Sequence, residues 1–150
     1  MEILTDLLGK KKKLFTSDAQ PNPAFRNTFQ TNEFRCVLKR IKLYDTCEEL
    51  CLEEGECIAS FELSLMNMSN DDVEIYCEDF MLQSDKKAVV YPLLLQNDTL
   101  LDKVSIAPNA VFDGLISFIA PTNAKFLTLK YQEYIEDWEG KLYKLKYAIP

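Results

Sequence analysis

IASFELSL, residues 58–65, alternates apolar and polar side chains with a period of two. In an extended chain, Ala59, Phe61 and Leu63 lie on one face. The serines and the glutamate between them lie on the other face, where water can solvate them. Such alternation is typical of a β-strand with one buried face, so this stretch predicts a half-buried strand.

The same period of two recurs near the C-terminus, in residues 126–131 and 142–149. Further extended segments are predicted over residues 73–82, 88–91 and 110–119. Turn-forming residues separate these segments, so the chain is expected to contain seven to nine short strands. Strands of this length and spacing predict an all-β fold, an antiparallel β-sandwich that covers residues 33–150.

One predicted strand changes phase in the middle. Phe34, Cys36 and Leu38 fall at even numbers, whereas Ile41 and Leu43 fall at odd numbers. A β-bulge inserts one extra residue into a strand and would return both sets to the same face. The pattern therefore predicts a bulge near Lys39 and Arg40.

A second break in the alternation separates Val73 and Ile75 from Phe80 and Leu82. The first pair falls at odd positions and the second at even positions, so one regular strand cannot bury all four side chains on one face. This break predicts a bend or a change of sheet between the two pairs.

The composition argues against an enzyme. The 150 residues suit one domain, and they include no histidine, which is the usual proton-transfer group near neutral pH and the commonest metal ligand. The sequence also lacks a G-x-S-x-G nucleophile motif, a P-loop and a dinucleotide fingerprint. We therefore expect a protein with no catalytic residues and no cofactor.

Charge is unevenly distributed along the chain, whose net charge is −7. Residues 1–44 carry nine Lys or Arg and four Asp or Glu, whereas residues 45–57 carry six acids and no base. Residues 58–150 add eight bases and fourteen acids. Because an acidic body repels polyphosphate, we expect no nucleic-acid partner.

The first 32 residues differ from the rest in pattern. Residues 1–15 space their apolar side chains helically around a run of four lysines, which predicts a short basic amphipathic helix. Residues 16–32 are polar, contain two prolines and have no period, so they are predicted to be a linker. The helix suggests two hypotheses: Leu4, Leu7 and Leu8 contact a partner protein, or Lys10, Lys11, Lys12 and Lys13 bind an anionic membrane surface.

Five cysteines, an odd number, follow an N-terminus that has no apolar block of secretory length. The chain also contains no run of about 18 apolar residues, the length that a membrane-spanning helix needs. We therefore expect reduced thiols and a cytoplasmic protein, with the inner face of the membrane as an alternative location. Cys36 and Cys77 fall in strand phase and are predicted to be small core residues.

The most unusual segment is the acidic stretch that contains Cys47, Cys51 and Cys57. Thiolate and carboxylate groups can both bind zinc, so a thiol or metal sensor is one hypothesis. The spacing is not the C-x-x-C pair that usually brings two sulfurs to one metal, and neighbouring acids disfavour the thiolate. The other hypothesis is a plain acidic turn or loop with buried thiols.

Four stretches occur in a recognisable order. They are residues 61–70, which end in MNMSN, then IAPN at 106–109, DGLISFIAP at 113–121 and LTLKY at 127–131. Together they resemble the telokin-like, immunoprotective-type immunoglobulin-like domains of Gram-positive bacteria, whose Gly-x-hydrophobic-x-Phe-x-x-Pro signature matches the third stretch. The resemblance covers about half of the chain. It implies an immunoglobulin-like sandwich that serves in binding or assembly.

These features predict a non-catalytic protein–protein interaction module, an adaptor or accessory subunit of a bacterial assembly linked to secretion or the cell envelope. Trp138, the only tryptophan, lies in the connection between two predicted strands, and Tyr134 is close to it. Both residue types are enriched where proteins bind each other, so we expect both to contact the partner. A peripheral membrane protein and a thiol or metal sensor are the alternative functions.

Overall fold

The structure is a computed structural model that describes residues 13–18, 27–85, 87–95, 98–99, 102–136 and 138–149. These residues form ten strands and one short 3-10 turn, Cys77–Asp79. The strands are β1 (Lys13–Asp18), β2 (Thr28–Gln30), β3 (Phe34–Tyr44), β4 (Glu56–Asn67), β5 (Val73–Tyr76), β6 (Phe80–Ser84), β7 (Lys103–Ile106), β8 (Val111–Pro121), β9 (Phe126–Ile135) and β10 (Trp138–Ala148).

All strand pairs are antiparallel, and they form two main sheets and a small one. The five-stranded sheet has the order β1-β3-β4-β8, with β2 paired to β3 beside β1. The three-stranded sheet has the order β10-β9-β6, and β5 pairs with β7. Apolar side chains from these sheets form one buried cluster, which confirms the predicted all-β sandwich.

The bulge in β3 is confirmed. The register between β3 and β4 shifts between Leu38 and Arg40, so Lys39 is the extra residue. Leu38 before the shift and Ile41 and Leu43 after it are all buried. One inserted residue therefore returns the whole of an 11-residue strand to a single buried face.

The predicted change of sheet is also confirmed, because the chain passes from β5 to the three-stranded sheet through the 3-10 turn. Ile75 before the turn and Phe80 after it are both fully buried. Asp79 at the end of this turn is partly buried, and burial together with the charge of Glu78 raises its pKa to about 6.

The predicted N-terminal helix and linker were wrong where the structure describes them. Residues 13–18 form strand β1 on β3, and Thr28–Gln30 form strand β2 on the same neighbour. The backbone N–H and C=O groups of a strand form hydrogen bonds with a partner strand that is distant in sequence. The spacing of apolar side chains within residues 1–15 therefore does not reveal that β1 pairs with β3. Residues 1–12 lie outside the described part of the chain.

An aromatic cluster joins the two main sheets. Tyr131 of β9 lies with its ring centroid 4.9 Å from that of Phe80, 5.3 Å from that of Phe34 and 5.6 Å from that of Phe29. Phe29 also stacks on Tyr143 of β10 at 5.1 Å. Such ring pairs each add about 0.5–1.5 kcal/mol beyond the area they bury, so the short strand β2 is held against the opposite sheet by its phenylalanine.

A polar network lies on the outer face of the five-stranded sheet. Ser60 and Ser117, on paired strands, share a hydrogen bond of 2.7 Å between their hydroxyls. The Ser117 hydroxyl donates to the Asp98 carboxylate at 2.7 Å, and the Leu95 backbone N–H donates to the same carboxylate at 3.0 Å. All three polar side chains are buried, so the network fixes Leu95 and Asp98 beside β8.

We expect Ser117→Ala to lower the free energy of unfolding by about 1–3 kcal/mol, because it removes a hydrogen bond from a buried carboxylate. Ser64 lies on β4, on the same face as Ser60, but is less buried. Ser64→Ala should therefore change the free energy of unfolding by less than about 0.5 kcal/mol. Urea unfolding followed by circular dichroism measures both. Equal losses in the two variants would contradict a stabilising role for the network.

The raised pKa of Asp79 predicts a pH dependence of stability. The folded protein keeps the Asp79 proton up to about pH 6, whereas the unfolded chain releases it near the ordinary value of 3.8. The folded state therefore binds more protons in this window, and the contribution of Asp79 to stability falls as pH rises through it. We expect Asp79→Asn to become more stable than the natural protein between pH 4 and 7, measured as the urea midpoint. Asp72→Asn, at an exposed site, is the control and should show no such growing difference.

Candidate functional site

The end of the β9–β10 hairpin is rich in exposed apolar side chains. Tyr134 is 51% exposed, Ile135 is 56% exposed and Trp138 is 77% exposed. Trp138 lies opposite Ile135, and the register then shifts between Glu139 and Leu142. Large apolar groups at this level of exposure are unusual on the surface of an isolated protein and mark interaction sites when they cluster.

A glycine permits the bulge beside this hairpin end. A Cβ atom at Gly140 would lie 2.8 Å from Oε1 of Glu133 and 3.3 Å from the Glu133 backbone oxygen. The Gly140 backbone carbonyl accepts a hydrogen bond of 3.2 Å from the side-chain amide of Gln132. Close backbone approach at a bulge is a position that favours glycine, so Gly140 helps to set where the hairpin end lies.

A groove of about 530 Å³ adjoins the hairpin through Tyr134, and we call it the aromatic groove. Tyr91 and Leu94, 62% and 66% exposed, line it together with Tyr134. The remaining lining residues are Cys77, Glu78, Pro92 and Asp102. Among the residues that the structure describes, the lining contains two carboxylates and no lysine or arginine, so this part of the groove combines apolar surface with negative charge.

Backbone hydrogen bonds hold the segment that supplies Tyr91 and Leu94. The Leu93 N–H donates to the Ser117 carbonyl at 2.8 Å, and the Val90 N–H donates to the Leu82 carbonyl at 2.8 Å. The segment therefore bridges from β6 to the edge of β8. These hydrogen bonds restrain the backbone on both sides of Tyr91. The segment that carries Tyr91 and Leu94 is therefore fixed in position beside the groove.

The aromatic groove contains a thiol group. Cys77 is the thiol in its lining, and burial followed by the charges of Asp98 and Asp102 raises the pKa of that thiol to about 11. The thiolate is the reactive form of cysteine, so Cys77 is a poor nucleophile at neutral pH.

The sequence analysis named two residues of this surface as partner contacts, which stays a prediction. It predicted Trp138 and Tyr134, which the structure places at the hairpin end and in the groove. It missed Tyr91 and Leu94, although the run YPLLL at 91–95 is a strongly apolar segment in a predicted strand region. Leu4, Leu7 and Leu8 lie outside the described residues.

The lysine run was predicted to bind a membrane surface. Lys10, Lys11 and Lys12 lie outside the described residues, and Lys13 begins β1. In the part of the chain that the structure describes, no helix is long and apolar enough to cross a membrane.

The three cysteines predicted to bind metal differ in how deeply they are buried. Cys57 lies fully buried in β4, whereas Cys47 is partly exposed and Cys51 is exposed in the connection before it. Among the described residues, no three His, Cys, Asp or Glu side chains are arranged to hold a metal ion. Cys36 and Cys77 are buried, as expected of core residues.

These environments predict thiol reactivity. All five cysteines are free, and burial raises the pKa of the Cys57 and Cys77 thiols to about 11. With a thiol-specific colour reagent at pH 8, we expect Cys51 to react quickly, Cys47 more slowly, and the other three only after denaturation. Cys51→Ser should remove the fast phase and Cys36→Ser should leave it unchanged. A fast phase that survives Cys51→Ser would contradict this order.

No protein-family model matches the sequence, and no curated protein sequence resembles it significantly. The fold, however, is similar to several solved structures. A functionally unknown protein from Listeria monocytogenes EGD-e matches with a TM-score of 0.67 at 11% identity, over 95% of this chain and 89% of that one. A conserved hypothetical protein from Bacillus anthracis matches with a TM-score of 0.56 at 11% identity, over 87% of this chain and 96% of that one.

The ycdA protein of Bacillus subtilis, provisionally named a lipoprotein, matches with a TM-score of 0.64 at 11% identity. The match covers 82% of this chain but only 38% of the ycdA chain. At such low identity these similarities show the fold alone. The chain therefore shares its β-sandwich with uncharacterised proteins of Gram-positive bacteria.

Proposed function

We propose that this protein is a non-catalytic protein-binding module, an adaptor or accessory subunit, that binds its partner at the aromatic groove and the hairpin end. One observation carries the proposal. Tyr91, Leu94, Tyr134, Ile135 and Trp138 are each more than half exposed, and Tyr134 belongs to both the groove and the hairpin end. Tyrosine and tryptophan are the side chains that most often dominate binding energy in protein interfaces.

The charge of the aromatic groove specifies the partner. Glu78 and Asp102 line it, and the protein as a whole carries a net charge of −7. Complementary charge speeds association and excludes wrong partners. The occupant we propose is an extended segment of another protein in which apolar side chains alternate with lysine or arginine.

We further propose that the sandwich is immunoglobulin-like and related to the telokin-like domains that the sequence resembles. The order β3-β4-β8 in one sheet and β6-β9-β10 in the other corresponds to the A-B-E and C-F-G order of immunoglobulin folds. The segment at Leu93, which bridges to the free edge of β8, occupies the place of strand D. This correspondence supports the finer assignment.

Trp138 provides the test, because it is the only tryptophan and binding nearby should change its fluorescence. Peptides selected from a random library against the whole protein should be enriched in apolar residues next to lysine or arginine. Titration of such a peptide should shift the Trp138 emission. Tyr134→Ala should weaken binding by about 30-fold, the effect of losing a hot-spot side chain worth about 2 kcal/mol.

Val111→Ala is the matched control, since Val111 is 54% exposed on β8 and does not line the groove. It should leave peptide affinity unchanged. If selected peptides bound Tyr134→Ala and Tyr91→Ala as tightly as the natural protein, the aromatic groove would not be the binding site. Peptides enriched in acidic residues would contradict the proposed partner chemistry.

A further inference from the structure

A second surface, unrelated to the aromatic groove, lies on the outer face of the three-stranded sheet. Lys144 of β10 lies directly opposite Lys130 of β9, and Lys146 lies opposite Thr128. Gln83 of β6 lies opposite Thr128 on the other side. These pairings place three lysines in two adjacent rows, and we call Lys130, Lys144 and Lys146 the lysine face.

The lysine face borders a concave site. A cleft of about 260 Å³ is lined by all three lysines together with Gln83, Thr128, Phe126 and Asp85. The Lys130 ammonium donates to the Gln83 side-chain oxygen, and the Lys146 ammonium lies 4.4 Å from the centroid of the Phe126 ring. Both contacts keep lysine side chains near the cleft. The Gln83 side-chain amide donates one N–H to the Lys87 carbonyl at 2.9 Å, so its second N–H and the Thr128 hydroxyl are the neutral donors of the cleft.

The one carboxylate in this lining is turned to the backbone. The Asp85 carboxylate accepts hydrogen bonds from the backbone N–H groups of Lys125 at 3.1 Å and Phe126 at 2.9 Å. Among the described residues, three lysines and one aspartate give the lining a formal charge of +2, in a protein whose net charge is −7. The cleft therefore concentrates positive charge against the trend of the molecule.

Like charges directly opposite each other in a sheet repel and reduce stability. Lys130 and Lys144 form such a pair, and burial together with the charge of Lys144 lowers the pKa of the Lys130 ammonium. A bound anion would offset this repulsion, because it interacts favourably with both ammonium groups at once.

We propose that the lysine face is a binding site for a phosphate-type oxyanion, with Lys130, Lys144 and Lys146 supplying the charge and Thr128 and Gln83 supplying hydrogen bonds. A dianionic phosphate group matches the +2 charge of the lining. Its several oxygens can accept from several ammonium groups, and lysine commonly binds phosphate as a point charge. The phosphate belongs either to a soluble ligand or to the headgroup of a lipid.

Isothermal titration of the full chain with inorganic pyrophosphate at low ionic strength tests the soluble source. Flotation with vesicles that contain phosphatidylglycerol tests the lipid source. We expect Lys144→Gln to weaken binding about fivefold, and Lys130→Gln combined with Lys144→Gln to weaken it about 25-fold. Pyrophosphate should also raise the melting temperature of the natural protein but not that of the double variant.

Lys141→Gln is the matched control, because it removes the same charge from the same strand and lies outside the cleft, over the Tyr143 ring. It should bind as the natural protein does. A variant with Lys10–Lys13 changed to Gln separates the lysine face from the N-terminal lysine run in the vesicle experiment.

Loss of binding in the double variant, with pyrophosphate or with vesicles, supports the proposal and identifies the source. Equal binding by the double variant and the natural protein, or no binding of either anion, would overturn it. Vesicle binding that depends only on Lys10–Lys13, without pyrophosphate binding, would also overturn it.

Discussion

The packing of Tyr131 between the two main sheets is the contact on which the other features of the structure depend. Its ring meets Phe34 from one sheet and Phe80 from its own, and burial raises the pKa of its hydroxyl above the ordinary value. Because side chains alternate along a strand, an inward Tyr131 places Lys130 and Gln132 on the outer face. The same core contact that closes the sandwich thus also determines which residues of β9 meet solvent.

The β9–β10 register transfers this constraint to the neighbouring strand. Tyr143 lies opposite Tyr131 and packs on Phe29 inside the sandwich, so Lys144 must point outward beside Lys130. The β9–β10 hairpin extends beyond the first residue of β6, which directly follows the 3-10 turn. Tyr134 and Trp138 lie in this extension and are exposed. One hairpin therefore presents a cationic face along its length and an apolar surface at its end.

Features that depend on local alternation could be predicted from the sequence, and features that depend on pairing could not. The bulge at Lys39 and the change of sheet before Phe80 follow from breaks in a period of two, which the sequence displays directly. Strand β1 was missed because it pairs with the distant strand β3, while its first residues belong to residues 1–15, whose apolar side chains are spaced helically. The resemblance to immunoglobulin-like domains pointed to the sandwich but carried no information about residues 13–18.

The residues of the candidate surfaces also divide into those that local sequence indicates and those that only strand pairing brings together. Trp138 and Tyr134 were recognisable because tryptophan and tyrosine are enriched at protein interfaces, although the structure places them on strands β10 and β9 and not in the connection between strands. Tyr91 and Leu94 were not, because only the bridges of their segment to β6 and β8 bring them to the hairpin.

Net charge was a poor guide to the surface of this protein, and strand register explains why. Acidic residues separate Lys130 from Lys144 and Lys146 along the chain, so the count of charges suggests an acidic body throughout. Antiparallel pairing removes that separation, because it brings Lys144 opposite Lys130. Electrostatic steering depends on the local field at a surface more than on the sum over the molecule. A protein with a net charge of −7 can therefore carry an acidic aromatic groove, to which the β9–β10 hairpin contributes Tyr134, and a cationic cleft on the outer face of the same hairpin.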